Sequence, residues 1–357
     1  MLRNIDIDLI YQPLIDGPPA SQGNIFARAC EGDQITIKTW HDIWLKQYAQ
    51  TKEKFGSFHD HSVGKLYGSV TPYVPSIIAG SGPSLKHSID ALKQNQSMRN
   101  PLTVISCLHN FGYFMDEGIK ADYWMTLDAG DIVIRDINEG RKEQEYWDKT
   151  KGQKLLAYTC SHPELFKDWQ GDVNLFNCFI PEEGFRKELD KIENFKHYLG
   201  TGGNALGACL YFTKVVLRSD VVHFVGADFC FDYNNTFHSY KTHYDNMGNY
   251  IVWPDCYGNL RKTWGSYLNF KFYLDHIACS VPGRYVNCSE GLLGAYREGN
   301  IRQFQYMSLK DALVPYRMTE KSFLEERDIK GNTLNRIEFD LKEVFTNPKY
   351  DKDIIMF

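Results

Sequence analysis

The stretch Ser76–Leu85 constrains the fold most, because it has the pattern of a strand, a glycine turn and a helix start. The residues before the glycines are small or β-branched, as in strands that are covered on both faces. Gly80 and Gly82 allow a tight turn without side-chain bulk, and Pro83 suits a first helical position. We expect a helix from Ser84 whose unpaired N–H groups form an anion site for a phosphate.

Short apolar runs alternate with helical stretches along the chain after this point. This alternation predicts an α/β, Rossmann-like, doubly wound fold, with a mostly parallel sheet and helices on both faces. The runs are Leu102–Leu108, Tyr123–Leu127, Leu155–Thr159, Val173–Phe179 and Val221–Gly226. We predict helices over Thr39–Phe55, Ile132–Trp147 and Ala205–Leu217.

The chain divides into three parts by its pattern. Residues 1–70 are predicted to be an N-terminal extension that packs on the core, and residues 71–315 a nucleotide-binding domain with a lid at 229–262. Charge density rises in residues 316–357, which we expect to form a C-terminal tail that offers a contact for a homo-oligomer.

Composition excludes several classes of protein. A net charge of −5 argues against a protein that coats nucleic acid, and no run is long enough to span a membrane. The nine cysteines show no CxxC pair and no metal-type spacing, which indicates free thiols in a reducing compartment. Met1–Leu14 contains early acids and no apolar core, so we expect no signal peptide and a cytoplasmic protein.

Two aspartates follow predicted strands, where open α/β sheets bind their ligands. Asp128 could bind a ribose hydroxyl or a metal ion, or it could simply cap the next helix. Asp228 would face the same crevice if the two strands were neighbours. The two carboxylates could then hold Mg²⁺ or position a substrate hydroxyl.

A second glycine cluster opens the predicted buried helix. Gly202, Gly203 and Asn204 would let a ligand approach the backbone closely, or they would only form a tight turn. In the lid, His238 and His243 are acid/base candidates, since histidine titrates nearest to neutral pH. For His243 a surface position without a role competes with that interpretation.

Familiar catalytic signatures are absent from the sequence. It contains no G-x-x-x-x-G-K-[ST] loop and no G-x-S-x-G elbow. Leu85 occupies the third glycine position of the dinucleotide fingerprint, which favours a mononucleotide or sugar nucleotide over a nicotinamide cofactor.

Five motifs in order resemble the 6-hydroxymethylpterin diphosphokinase MptE-like family, whose domain also occurs in motility accessory factors linked to flagellin glycosylation. The resemblance covers about residues 70–315, and the glycine–proline loop is also similar to that of bacterial sialyltransferases. In this chain Phe237 separates Thr236 from His238, a departure from the family pattern. The motifs are Ile77–Leu85, Ala121–Asp128, Gly202–Ala205, Val225–Asp228 with Thr236–His238, and Val286–Gly291.

The resemblance implies a transferase with a nucleotide-bearing donor, either ATP or a CMP-sugar, and leaves Mg²⁺ open. His238 is then the general base for an acceptor hydroxyl and Asp228 a second catalytic residue, while Asp128 and Asp228 bind metal or ribose. The expected phosphate-binding residues are Gly80, Ser81, Gly82, Pro83, Ser84, Gly202, Gly203 and Asn204.

Three functions stay open at this point. The first is transfer of diphosphate from ATP to a hydroxyl of a small acceptor, which requires a metal ion to neutralise the phosphates. The second is transfer of a nonulosonic sugar from a CMP-linked donor, which does not. The third is a non-catalytic nucleotide-binding or assembly protein. The identity of the small-molecule or sugar acceptor does not follow from the resemblance.

Overall fold

The structure is a computed structural model, and it describes most of the chain between residues 23 and 317. Within that range the undescribed positions are 68, 70–73, 139–142, 179, 181–182, 239–240, 244–249 and 298. The first third of the predicted N-terminal extension and nearly all of the predicted tail therefore lie outside the described residues.

A nine-stranded sheet in the order β15-β12-β7-β1-β2-β3-β4-β5-β6 forms the centre of the molecule, and every pair of neighbours in it is parallel. Its strands are β1 Ser76–Ala79, β2 Thr103–Cys107, β3 Tyr123–Thr126, β4 Lys154–Tyr158, β5 Asp172–Cys178, β6 Tyr198–Leu199, β7 Val221–Val225, β12 Arg284–Asn287 and β15 Phe304–Tyr306. Three two-stranded pairs lie outside it: β8 Thr236–His238 with β9 Lys241–His243, β10 Ile251–Pro254 with β11 Leu260–Thr263, and β13 Ala295–Tyr296 with β14 Gly299–Asn300.

Helices cover the sheet, and the predicted α/β Rossmann-like fold is confirmed. They are α1 Gly23–Phe55, α2 Ile89–Ser97, α3 Phe111–Glu117, α4 Ile132–Asn138, α5 Glu143–Lys149, α6 Pro163–Asp168, α7 Glu183–Ile192, α8 Ala205–Val215, α9 Gly265–Ser280 and α10 Leu309–Ala312. On α1, which begins earlier than predicted, Tyr48 is fully buried and donates a 2.9 Å hydrogen bond to the Glu193 carbonyl oxygen.

The chain reverses its direction across the sheet at β1. From β1 it proceeds outwards strand by strand to β6, and α8 then leads it back to β7 on the other side of β1. The carboxyl ends of β1 and β7 therefore flank a topological switch point, where sheets of this kind have their ligand-binding crevice.

The turns that follow β1 and β7 touch each other at this switch point. A Cβ atom on Gly80 would lie 2.5 Å from the Gly226 carbonyl oxygen, and one on Gly226 would lie 2.9 Å from the Leu85 Cβ. Gly226 also has a φ of 59°, which L residues with side chains rarely adopt. The glycines thus allow two neighbouring parallel strands to end in turns that are in direct contact.

Two predicted helices differ in detail from the structure. The turn after β1 continues as a 3₁₀-helix over Pro83–Ser88 and becomes α-helical only at Ile89. Its tight pitch begins with a hydrogen bond from the Leu85 N–H to the Gly82 carbonyl oxygen at 3.0 Å. The single helix predicted over Ile132–Trp147 is described as two, α4 and α5.

Substitution of Gly226 tests the contact between the two turns. We expect Gly226→Ala to lower the free energy of unfolding by about 3 kcal/mol, because backbone strain and overpacking add. The control is Gly152→Ala, since Gly152 has a φ of 76° but no atom within 4 Å of an added Cβ. In urea denaturation, the free energy of unfolding of that variant should fall by only about 1 kcal/mol, the part that comes from backbone strain. Equal losses in the two variants would show that the turns are not in tight contact.

Candidate functional site

The Asp228 carboxylate joins three loops at the carboxyl ends of β1, β7 and β12. Its side chain is only 2% exposed. Oδ2 accepts a hydrogen bond from the Ser84 N–H at 2.8 Å, and Oδ1 accepts one from the Glu290 N–H at 3.2 Å. Burial raises the pKa of Asp228, and the hydrogen bonds with Ser84 and Glu290 oppose that rise.

Four N–H groups of the β1 turn donate to acceptors within the protein. Gly80 and Gly82 donate at 2.8 Å to carbonyl oxygens of β7 and its turn, and Leu85 donates to Gly82. The fourth, Ser84, donates to Asp228. The prediction of a phosphate site on this turn assumes that its N–H groups are unpaired. In the structure, these four N–H groups already have partners. The Asp228 carboxylate thus occupies the position expected for an anionic ligand, and the loop's part in ligand binding stays a prediction.

His238 lies over the turn and against a second histidine. The rings of His109 and His238 have centroids 4.6 Å apart and are tilted by 39°. The His238 Nδ1 is 3.3 Å from the Ser81 carbonyl oxygen, which can only accept, so Nδ1 carries the proton and Nε2 the lone pair. Burial, together with the neighbouring His109, lowers the pKa of His238 to about 3. The ring is therefore neutral at physiological pH.

Asn110 supports the β1 turn from the end of β2. Its side chain is fully buried, and Nδ2 donates to the carbonyl oxygens of Ala79 and Gly80 at 3.3 and 3.1 Å. The buried Oδ1 has no hydrogen-bond partner within the described part of the chain. A buried polar atom of this kind calls for an explanation, and a ligand donor is one that suits a position beside the crevice.

The second glycine cluster lies near the first. Leu206, in the first turn of α8, has its Cδ1 3.2 Å from where a Cβ on Gly80 would lie. Asn204 caps α8 by accepting a 2.9 Å hydrogen bond from the Gly207 N–H. Gly202 has a φ of 55°, and a side chain there would clash with the Tyr273 ring, so packing alone already requires glycine at this position.

Asp128 does not lie beside Asp228. Between their strands, β3 and β7, lie β1 and β2, and three strand spacings amount to about 14 Å. The predicted Mg²⁺ pair required neighbouring strands, so the structure corrects it on this point. Both Asp228 oxygens already accept N–H groups, and the exposed Asp128 stays a candidate for ribose. Among the described residues there is no group of three or more His, Cys, Asp and Glu side chains that could hold a metal ion.

Sequence reasoning missed His109 and Asn110, and it gave no role to Ser289, which lies in the motif Val286–Gly291. The first two directly follow the apolar run of β2, so the strand-end rule that selected Asp128 and Asp228 would have found them. Ser289 accepts a 2.8 Å hydrogen bond from the Ala227 N–H and thereby joins the loops after β7 and β12.

The His243 side chain lies outside the described residues. In the part of the chain that can be described, no helix combines the length and the hydropathy needed to cross a bilayer.

A buried histidine, His223, and a half-buried one, His238, should make the protein sensitive to acid. Burial lowers the pKa of His223 to about 4, and that of His238 is about 3, against 6.5 in an unfolded chain. Unfolding therefore takes up protons below pH 6.5, and stability present at neutral pH is lost as the pH falls. Each group contributes about 1.4 kcal/mol per pH unit between its two pKa values. We expect His238→Gln to flatten the slope near pH 5 by about 1 kcal/mol per pH unit.

The control for this titration is His41→Gln. The hydrogen bond with Asp42 raises the pKa of His41, so it is protonated in both states near pH 5 and its loss should leave the slope unchanged. Urea unfolding at a series of pH values measures these slopes. A slope in His238→Gln as steep as in the wild type would contradict a His238 that is neutral in the folded protein at this pH.

One solved structure that the chain matches is described as a MAf glycosyltransferase from Magnetospirillum magneticum AMB-1, with a TM-score of 0.54. The two chains are 17% identical, and the match covers 76% of this chain but only 38% of that one. At this identity the likeness shows the fold alone. A search of curated protein sequences gave no match.

The sequence also matches a protein family. The profile described as 6-hydroxymethylpterin diphosphokinase MptE-like matches residues 47–234, more than half of the 357 residues. The matched range contains the β1 turn, Asp128, the second glycine cluster and Asp228, whereas His238 lies just beyond it. The chain belongs to the MptE-like family.

Proposed function

We propose that this protein is a nucleotide-dependent group transferase whose donor binds over the carboxyl ends of β1 and β7. The observation that carries the proposal is a neutral histidine, His238, held by Ser81 at the switch point of an open parallel sheet. Membership of the MptE-like family supports a transferase.

The donor phosphates are expected at the N-terminus of α8 rather than on the β1 turn. Four N–H groups of that turn are already paired, whereas α8 is a helix of 11 residues that begins beside Gly80. Within the described residues the N–H groups of Gly203, Asn204 and Gly207 are also paired, so a phosphate there would be favoured by the N–H groups of Ala205 and Leu206 and by the dipole of the helix start. Gly203, Asn204 and the adjacent Ser81 are then the donor-binding residues, and Asp128 is the candidate for the ribose.

His238 is proposed as the general base. Its Nε2 accepts the proton of the acceptor hydroxyl while the hydroxyl oxygen attacks the transferred group, and the donor phosphate leaves with the bonding electrons. A pKa of about 3 makes the free ring a weak base. Phosphates bound nearby would raise that pKa, because a negative charge stabilises the imidazolium. Asp228 then acts by holding the β1 turn in position and not by proton transfer.

Among the two transfer reactions, we favour glycosyl transfer from a nucleotide–sugar. Asp128 and Asp228 do not fit a shared Mg²⁺, and sugar transfer needs no obligatory metal. The solved structure described as a MAf glycosyltransferase has the same fold, which is consistent with this choice. Diphosphoryl transfer from ATP is the second candidate, because the family description names a diphosphokinase.

Nucleotide-induced stabilisation distinguishes the two reactions. We expect CMP and a CMP-linked sugar to raise the melting temperature by a few degrees without Mg²⁺, because a ligand that binds only the folded state stabilises it. ATP that stabilises only with Mg²⁺ would instead favour the diphosphokinase. Stabilisation by none of these nucleotides would contradict nucleotide-dependent transfer.

Loss of the proposed base should slow the reaction without weakening donor binding. We expect His238→Ala to lower the rate of CMP release from the CMP-linked sugar by roughly 10²- to 10⁴-fold, with the stabilisation by CMP unchanged. The control is His41→Ala, since His41 lies on α1 and packs against Phe185 of α7. Equal rates of CMP release in the two variants would contradict the role of His238 as general base.

A further inference from the structure

A groove separate from the β1–β7 crevice lies between the β10–β11 hairpin and the β13–β14 pair. Its volume is about 500 Å³, which is in the range of small-molecule sites. Apolar and polar side chains share its lining. Those that carry the argument are Val252, Asp255, Leu260, Tyr296, Arg297 and Asn300.

Buried polar contacts fix the shape of the groove. Asp255, only 1% exposed, accepts hydrogen bonds from the N–H groups of Tyr257 and Asn259 at 2.9 and 2.8 Å. It also pairs with Arg261 at 2.8 Å. The Asn300 side chain donates to the Cys256 carbonyl oxygen at 2.7 Å and so joins β14 to the hairpin turn. These walls exist before any ligand arrives, which lowers the cost of binding.

Arg297 supplies an available positive charge at the groove. Its guanidinium lies 5.2 Å from the centre of the Trp253 ring. Arg297 is exposed and, across the described ranges, has no acidic partner, whereas Arg261 is already paired with Asp255. A guanidinium held over an aromatic ring suits a carboxylate or a phosphate.

The hairpin supplies an apolar wall. Val252 and Leu260 are 42% and 69% exposed, unusually so for large apolar side chains on neighbouring strands. The Tyr296 ring contributes a third apolar surface, and Lys271 fixes its position with Nζ 3.5 Å from the ring centre. Apolar walls beside one cation suit a ligand with a ring or short aliphatic part next to an anionic group.

The groove is connected to the Asp228 site through one short turn. The Cys256 N–H donates to the Gly291 carbonyl oxygen at 2.9 Å, and the next residue, Leu292, donates to the Asp228 carbonyl oxygen at 2.7 Å. The groove therefore lies next to the strand ends where the donor is proposed to bind.

We infer that this groove binds a small molecule in which a phosphate or carboxylate contacts Arg297 and an adjoining ring or aliphatic part contacts Val252, Leu260 and Tyr296. Only the further step, that this molecule is the acceptor of the transferred group, rests on the proposed function.

Simple probes test the binding site without a nucleotide. Phenyl phosphate and benzoate each combine a ring with an anion, and benzyl alcohol is the neutral comparison. Ligand-observed NMR titration of the full chain gives the affinities. We expect the wild type to bind both anions more tightly than the alcohol, and the ratio of the two anion affinities indicates whether phosphate or carboxylate fits better.

Two variants localise the binding. Arg297→Gln should weaken phenyl phosphate at least about tenfold, whereas Arg302→Gln, which removes the same charge from a nearby exposed position, should not. Leu260→Ser should weaken all three probes. Both altered side chains are exposed, so the variants are expected to fold, and circular dichroism checks this.

No binding of the anions to the wild type, or equal anion affinities in wild type and Arg297→Gln, would overturn the inference. The outcome is independent of the nucleotide tests. If the protein binds the anions but no nucleotide stabilises it, the groove is a binding site but not the acceptor site of a transferase. If CMP stabilises the protein but the anions do not bind, the proposed transferase function is supported and the proposed binding site in the groove is contradicted.

Discussion

The contact between the turns after β1 and β7 is the constraint on which the rest of the structure depends. Gly80 and Gly226 bring two backbone turns together at the one place where the chain reverses direction across the sheet. The buried Asp228 carboxylate then joins the β1 turn to the loop after β12 through two backbone N–H groups. Because a buried carboxylate is costly unless it is hydrogen-bonded, this arrangement fixes the relative position of three strand ends.

That constraint determines which groups are available for chemistry. The protein itself uses the N–H groups that would have bound a phosphate on the β1 turn. Near the crevice lie the start of α8, the buried Asn110 Oδ1 and the His109–His238 pair, and the exposed Asp128 lies farther along the same edge of the sheet, at the end of β3. This set contains acceptors and a neutral base, and it lacks two adjacent free carboxylates. For this reason the proposed function relies on proton transfer from an acceptor hydroxyl and not on chemistry centred on a shared metal ion.

Much of the fold could be predicted because the sheet is parallel and buried, so its strands are short apolar runs that end in glycine or polar residues. Asp128, Asp228 and both glycine clusters could be found because ligand-binding residues are expected where such strands end. Strand order could not be predicted, since nothing local in the sequence shows that α8 returns the chain to β7 beside β1. For that reason the sequence could not reveal that β1 and β2 separate the two aspartates. Nor could it distinguish a glycine turn that binds a phosphate from one that binds the protein's own carboxylate, because both need the same residues.

The position of a bound nucleotide is the most direct test of the account, and a crystal structure of the protein with CMP would provide it. We predict that the phosphate lies at the N-terminus of α8 between Ser81 and Asn204, and that its leaving oxygen faces His238. We also predict that the Asp228 carboxylate keeps its hydrogen bonds to Ser84 and Glu290. A nucleotide bound elsewhere, or a phosphate that displaces Asp228 from the β1 turn, would contradict the claim that Asp228 is the anion of this turn.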